Sequence, residues 1–122
     1  LLGEKMSEHD TRVYLVNTGW SGGAYGVGSR MDINLTRALV TAALNGDLDE
    51  VDYKEDELLH LAVPTSCPGV PSDVLWPRNT WSDTAAYDER ARDLAQDFTS
   101  YFDKHYADKG LDPEIVAACP GK

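Results

Sequence analysis

The residues best suited to chemistry lie in a glycine-rich stretch that ends in a cation. An apolar run over 13–16 leads through Asn17 into a loop with five glycines between positions 19 and 28, and Arg30 follows that loop. Glycine lets the backbone approach a ligand closely, and a guanidinium neutralises phosphate charge. The stretch therefore predicts a phosphate or nucleotide site. The alternative is a glycine-rich hairpin with a solvated arginine.

The spacing within residues 23–30 approaches the phosphate-binding pattern GxxxxGK[ST] but departs from it at two positions. Ser29 stands where that pattern has its lysine, and Arg30 stands where it has its hydroxyl. The lysine neutralises phosphate charge and the hydroxyl holds magnesium, so this loop does not perform both tasks in that way. Binding in another arrangement stays open, as does the hairpin alternative.

The other residue types able to do chemistry are poorly placed for it. Seven carboxylates lie between positions 47 and 57, but they lack the spacing and the glycine of a calcium-binding loop, which predicts a solvated acidic loop. His9, His60 and His105 stand alone, and His60 is predicted to be packed within an apolar strand. No nucleophile–base pair is visible, so we predict neither a catalytic residue nor a metal ligand in this chain.

A second candidate contact follows Pro77, where Arg78, Asn79, Thr80 and Trp81 combine a cation, an amide, a hydroxyl and an aromatic ring. These residues suit contact with a ligand. They suit equally an anchored loop, in which Arg78 pairs with a carboxylate and Trp81 fills a gap in the core. Both interpretations stay open.

Composition narrows the class of protein. A chain of 122 residues has the length of one domain, and no apolar run approaches the ~18 residues of a membrane span. The net charge of −10 argues against nucleic acid and against an anionic membrane surface as partners. Cys67 and Cys119 lie far apart and outside any metal-binding spacing, so we expect two reduced thiols in a cytoplasmic protein. The start of the chain lacks both an initiator methionine and the pattern of a signal peptide, so we expect a processed or partial chain.

The spacing of hydrophobic residues, together with glycine and proline residues that interrupt helices and strands, predicts the elements that must position these residues. In the first half of the chain we predict the last turns of a helix over 1–9, a strand from Arg12 to Asn17, a loop or hairpin over 18–32 and a helix over 35–45, with Asn34 as its N-cap and Asn45–Gly46 as its C-terminal signal. An acidic loop over 47–57, a strand over 58–63 and an irregular segment over 64–82 are predicted to follow. The last elements are a helix over 83–106, whose apolar stripe is predicted to be core, and a short helix from Asp112–Pro113 to near Pro120.

The predicted fold class is α/β, with few strands and three main helices. The apolar residues of the Arg12–Asn17 strand are typical of a strand covered on both faces, which needs neighbouring strands. The chain does not contain those neighbours. We therefore expect an incomplete domain.

Several blocks of the sequence together resemble the C-terminal end of the ATP-dependent phosphoenolpyruvate carboxykinase family, in order and over essentially all of residues 1–122. The residues that carry the resemblance are Val13-Tyr14-Leu15-Val16-Asn17-Thr18-Gly19-Trp20, Gly22-Gly23-Ala24-Tyr25-Gly26-Val27-Gly28, Arg30-Met31, Thr36-Arg37-Ala38-Leu39, Leu61-Ala62-Val63-Pro64-Thr65, Pro68-Gly69-Val70-Pro71 and Pro77-Arg78-Asn79-Thr80-Trp81. The chain departs from the family's common pattern at Ser29, where Lys or Arg is usual, and at Trp76, where Asp is usual.

The resemblance implies a cytoplasmic enzyme that converts oxaloacetate and ATP to phosphoenolpyruvate, carbon dioxide and ADP in gluconeogenesis. It implies that this segment belongs to the C-terminal part of the mononucleotide-binding domain and that Arg30, Met31 and Thr36 contact ATP. It also implies that the P-loop, the ligands for magnesium and manganese and the substrate arginines lie upstream of Leu1. We therefore expect the remainder of the carboxykinase as a partner and no catalysis by the chain alone. The alternatives are a stand-alone, non-catalytic nucleotide-binding or interaction module, and a chain that assembles with a separate N-terminal piece.

Overall fold

Helices and short strands alternate along the chain in the computed structural model, which describes residues 2–17 and 19–122. The elements are α1 (Leu2–Glu8), β1 (Trp20–Ser21), β2 (Ser29–Arg30), α2 (Ile33–Asn45), β3 (Tyr53–Asp56), β4 (Leu61–Pro64), α3 (Ser72–Leu75), a 3₁₀ turn (Pro77–Thr80), α4 (Thr84–Tyr106), a second 3₁₀ turn (Ala107–Lys109) and α5 (Pro113–Ala117). The strands form two separate two-stranded antiparallel sheets, β1–β2 and β3–β4. The predicted class, mixed α/β with few strands, is confirmed. Leu1 and Thr18, which begin the predicted first helix and the predicted loop, lie outside the described residues.

Helix α2 begins and ends where its caps dictate. The carboxylate of Asp32 accepts a hydrogen bond from the Asn34 N–H at 2.7 Å, so Asp32, and not the predicted Asn34, is the N-cap. Gly46 has a φ of 79° and donates its N–H to carbonyls of the last turn, as the Asn45–Gly46 signal predicts. The predicted helix over 35–45 therefore forms and starts two residues earlier.

The hydrophobic core lies against α2. Its buried members are Ala42, Leu48, Cys67 and Val70, with partly buried residues such as Tyr14, Leu35 and Leu39 packed around them. Cys119 is also buried, and both cysteines are free thiols. Burial raises the pKa of Cys67, which keeps that thiol protonated.

The segment predicted to be a strand, Arg12–Asn17, forms no β-ladder with any other described residue. Its residues Val13, Leu15 and Val16 are exposed, and Leu15 is 81% exposed. A strand needs backbone partners along an edge, and none of the described segments supplies them here. The predicted strand is therefore absent from the described structure, and the side chains of Val13, Leu15 and Val16 remain exposed.

The acidic segment predicted to be a loop contains strand β3, which pairs with β4 so that Tyr53 faces Pro64 and Asp56 faces Leu61. The carboxylate of Asp56 accepts hydrogen bonds from the N–H groups of Leu58 and Leu59 at 3.0 and 2.9 Å, and these bonds form the turn between the strands. His60 lies at the end of that turn with a φ of 53°, so its predicted place inside an apolar strand is wrong.

Helix α4 runs over nearly the predicted range, because the carboxylate of Asp83 caps it by accepting hydrogen bonds from Ala85 and Ala86 at 3.0 Å. Ala95 is buried, whereas Phe98 and Tyr101 of the same helix are exposed. The prediction that the whole apolar stripe is core is therefore only partly correct. No helix in the described part of the chain is both long enough and apolar enough to cross a membrane.

Candidate functional site

The glycine-rich stretch folds as a hairpin. Trp20 pairs with Arg30 and Ser21 pairs with Ser29, and the Met31 N–H extends this ladder by donating to the Gly19 carbonyl at 3.0 Å. Inside the loop, the Gly28 N–H donates to the Ala24 carbonyl at 2.9 Å. The hairpin form of the predicted loop is confirmed. The second strand of the hairpin ends at Arg30, one of the predicted ligand contacts.

The three predicted ligand contacts lie on either side of the junction between β2 and α2. Arg30 is the last residue of β2, and its side chain is exposed without an ion-pair partner among residues 2–17 and 19–122. Met31 is partly buried, and Thr36 is partly buried in the first turn of α2, where its N–H donates to the Asp32 carbonyl at 3.2 Å. The junction thus offers a free cation, an apolar side chain and a hydroxyl within seven residues.

The segment after Pro77 is an anchored turn. Arg78 donates from Nε and Nη2 to the two carboxylate oxygens of Asp88 at 2.7 and 2.9 Å. Trp81 meets Tyr87 edge to face, with ring centroids 5.6 Å apart. Arg78 thus pairs with a carboxylate, as the loop-anchor interpretation predicts. The hydrogen bonds from Arg78 lower the pKa of Asp88 and raise that of Arg78.

Two contacts of this turn are not visible in the sequence. The hydroxyl of Thr80 accepts a hydrogen bond from the Gly22 N–H at 3.1 Å, which joins the turn to the glycine-rich hairpin 58 residues away. The ring of Trp76, which directly precedes the turn, lies under the ammonium of Lys54, with 4.5 Å between the nitrogen and the ring centroid. The hydroxyl of Thr80 can accept a hydrogen bond and the ring of Trp76 can attract a cation, but no rule of sequence spacing identifies the partners of these two residues.

The acidic segment does not hold a metal-binding cluster. Among residues 2–17 and 19–122, no three His, Cys, Asp or Glu side chains converge in the way a metal ion requires. The carboxylate of Asp49 is instead engaged by the guanidinium of Arg12 and by the Tyr14 hydroxyl, the latter at 3.0 Å. Among the described residues, these carboxylates therefore form no metal-binding cluster.

We expect the ion pair between Arg78 and Asp88 to make stability depend on acid pH. The pKa of Asp88 is lower in the folded chain than its ordinary value of 3.8, so the pair stabilises the fold fully above that value and loses this effect as the pH falls through the lowered pKa. Asp88→Asn removes the titrating group. Its melting temperature should therefore be lower near neutral pH and fall less steeply below pH 3.8 than that of the unaltered chain.

Thermal unfolding from pH 7 down to about pH 2 measures this difference. Asp93→Asn is the matched control, because it removes another α4 carboxylate that has no ion pair within the described residues. Equal acid slopes for Asp88→Asn and the unaltered chain would contradict the prediction.

A glycine-rich hairpin that presents a free arginine beside a helix start, on a small α/β frame, defines a candidate nucleotide-binding unit. The family model for phosphoenolpyruvate carboxykinase matches residues 1–73 of this chain. The chain therefore belongs to the phosphoenolpyruvate carboxykinase family.

Curated relatives agree with this family. The chain is similar to phosphoenolpyruvate carboxykinase (ATP) of Caldanaerobacter subterraneus, with 51% identity over 98% of this chain and 22% of the relative. It is 56% identical to the enzyme of the same name from Brevibacillus brevis over 87% of this chain and 20% of the relative. For the Geobacillus kaustophilus enzyme the identity is 55%, over 94% of this chain and 21% of the relative. The chain thus spans about a fifth of the length of the curated relatives it matches.

Proposed function

We propose that this chain supplies part of the ATP adenine pocket of an ATP-dependent phosphoenolpyruvate carboxykinase, which converts oxaloacetate and ATP to phosphoenolpyruvate, carbon dioxide and ADP in cytoplasmic gluconeogenesis. The observation that carries the proposal is about 50% identity to enzymes of that name over nearly the whole chain. The exposed, unpaired Arg30 at the hairpin–helix junction supports it, because this cation has no partner among the described residues.

Each residue of the proposed pocket has a role that its chemistry allows. Arg30 stacks on the base or donates to phosphate oxygens, since a guanidinium is suited to both. Met31 offers an adaptable apolar surface to the base. Thr36 adds a hydroxyl in the first turn of α2, close to backbone N–H groups that favour negative charge.

We propose that catalysis requires residues beyond this chain. Transfer of a phosphoryl group depends on cations that neutralise its charge, including a lysine and bound metal ions. The described residues contain no metal-binding cluster, so magnesium and manganese are proposed to bind elsewhere in the carboxykinase. Carboxykinase activity from this polypeptide by itself would contradict the proposal.

The proposed partner is the remainder of the carboxykinase. The exposed side chains of Val13, Leu15 and Val16 support this proposal, because apolar side chains on a backbone without a β-ladder among the described residues favour addition to the edge of another sheet. That backbone also leads directly into the hairpin that carries Arg30. Assembly on this segment would therefore bring the proposed ATP contacts close to the catalytic groups.

Arg30→Gln tests the proposed pocket. Loss of a charge-assisted contact is expected to weaken ATP binding by about tenfold or more. Isothermal titration of the intact protein with ATP measures this, and Arg37→Gln is the matched control because Arg37 is also exposed and unpaired within the described residues. An unchanged dissociation constant in Arg30→Gln would refute the assignment of Arg30, while equal losses in both variants would indicate only a general effect of charge.

A further inference from the structure

We propose that Thr80 is a positioning residue for the nucleotide site, acting through the glycine-rich hairpin. The inference rests on the proposed function for its link to ATP. The position of the hairpin itself is argued from contacts within the chain. Within the described residues no hydrogen bond joins Thr80 to Arg30, Met31 or Thr36, so its effect on them passes through Gly22.

The Thr80 hydroxyl uses both of its hydrogen-bonding roles. It donates to the Pro77 carbonyl at 2.7 Å, which fixes its orientation, and it accepts from the Gly22 N–H at 3.1 Å. The hydroxyl therefore has its proton directed into its own turn and its lone pair directed at the hairpin. The bond to Gly22 is part-buried, where an unsatisfied N–H is more costly than at the surface.

The backbone contact at Gly22 is equally close. Gly22 has a φ of 78°, and a Cβ at this position would lie only 2.9 Å from the Thr80 carbonyl oxygen. The hairpin thus sits directly on the backbone of the turn. The close approach and the hydrogen bond identify the same pair of residues independently of each other.

The turn that carries Thr80 is itself held on α4. Arg78 makes two hydrogen bonds to Asp88 of that helix, and Trp81 contacts the ring of Tyr87. With 23 residues, α4 is the longest helix of the described structure. The turn therefore connects the hairpin to a rigid element.

The hairpin has few hydrogen bonds to other segments of the described chain. Within residues 2–17 and 19–122, the Gly22–Thr80 bond is the hydrogen bond that ties the hairpin to a distant part of the chain, and Tyr25 and Val27 at its tip are exposed. Gly22 directly follows β1, whose partner strand ends at Arg30. A shift at Gly22 consequently moves Arg30 through a ladder of two residue pairs.

Thr80→Val removes the hydroxyl at nearly constant shape, and Thr80→Ser retains it. Hydrogen exchange and ATP titration of the intact protein should show about tenfold faster exchange at Gly22 and Met31 in Thr80→Val and a three- to tenfold weaker dissociation constant for ATP. Thr80→Ser should restore both values to within about twofold. A purely structural role would lower the melting temperature without an ATP effect that serine rescues.

The outcomes separate this inference from the proposed function. If Arg30→Gln weakens ATP binding while Thr80→Val changes neither ATP affinity nor exchange at Met31, the role of Thr80 is overturned and the pocket stands. If Arg30→Gln has no effect on ATP affinity, the pocket is overturned, and with it the nucleotide role of Thr80. If Thr80→Val fails to fold, hydrogen exchange of the unaltered protein still tests the bond between Gly22 and Thr80. A Gly22 N–H that exchanges as fast as the exposed tip of the loop would overturn the proposed role of Thr80.

Discussion

Gly28→Ala is expected to open the glycine-rich hairpin and to weaken the proposed binding of ATP by more than about tenfold. A Cβ on Gly28 would lie 2.5 Å from the Gly23 carbonyl oxygen, 2.6 Å from the Ser21 carbonyl oxygen and 2.8 Å from the Gly23 nitrogen. All three atoms belong to the backbone, so no side chain can turn away to make room. The strand pairing between Ser21 and Ser29 must therefore separate, and Arg30 loses its fixed place.

Gly26→Ala is the matched control for this prediction. Gly26 lies in the same loop with a φ of 91°, yet a Cβ there would meet nothing within 4 Å. Alanine at 26 introduces only backbone strain, whereas alanine at 28 also introduces a collision between the two sides of the hairpin. Titration with ATP and exchange at the Met31 amide should separate the two variants. Similar behaviour of both would show that the hairpin adapts without loss of the proposed site.

The elements that depend on local chemistry were predictable from the sequence. Helices α2 and α4 appear within two residues of their predicted starts, because their capping carboxylates and apolar spacing lie inside the segments themselves. The N-cap of α2 was misplaced since Asp32 and Asn34 are both good caps, and only the geometry shows which side chain accepts the bond.

The elements that depend on distant partners were not predictable. Strand β3 consists of polar and charged residues without the alternation of a half-buried strand, and its pairing with β4 produces it. The Arg12–Asn17 segment has the opposite character: its composition favours a strand, but a strand also needs a neighbour, and the described chain offers none. β-propensity alone therefore misses strand β3 and wrongly predicts a strand over Arg12–Asn17.

The candidate site shows the same division. The hairpin form and the pairing of Arg78 with a carboxylate were each one of the alternatives that residue types left open, and Asp88 as the partner was not predictable. The bond between Gly22 and Thr80 spans 58 residues and leaves no periodic or spacing signal in the sequence. The proposed roles of Arg30, Met31 and Thr36 rest on resemblance to the family, and the structure adds that they share one junction.

The apolar segment over residues 13–16 has a consequence for association that is independent of ATP. Leu15 is 81% exposed, and its neighbours Val13 and Val16 are exposed on the same unpaired backbone. We expect the chain by itself to self-associate through this segment in a concentration-dependent way, because Val13, Leu15 and Val16 are exposed and the backbone of residues 13–16 forms no β-ladder with any described residue. Leu15→Lys should weaken that association by about tenfold or more, since burial of one leucine contributes about 1.5–3 kcal/mol.

Sedimentation velocity over a range of protein concentrations measures this association, and Leu44→Lys is the matched control. Leu44 is 82% exposed but belongs to α2, whose backbone is already hydrogen-bonded within the helix. If exposed apolar area alone drove association, both lysine variants would weaken it equally. If the unpaired backbone directs association to residues 13–16, only Leu15→Lys weakens it. The proposed partner, the remainder of the carboxykinase, should then compete with self-association for the same edge. A chain that stays monomeric at all concentrations would refute the expected self-association through residues 13–16.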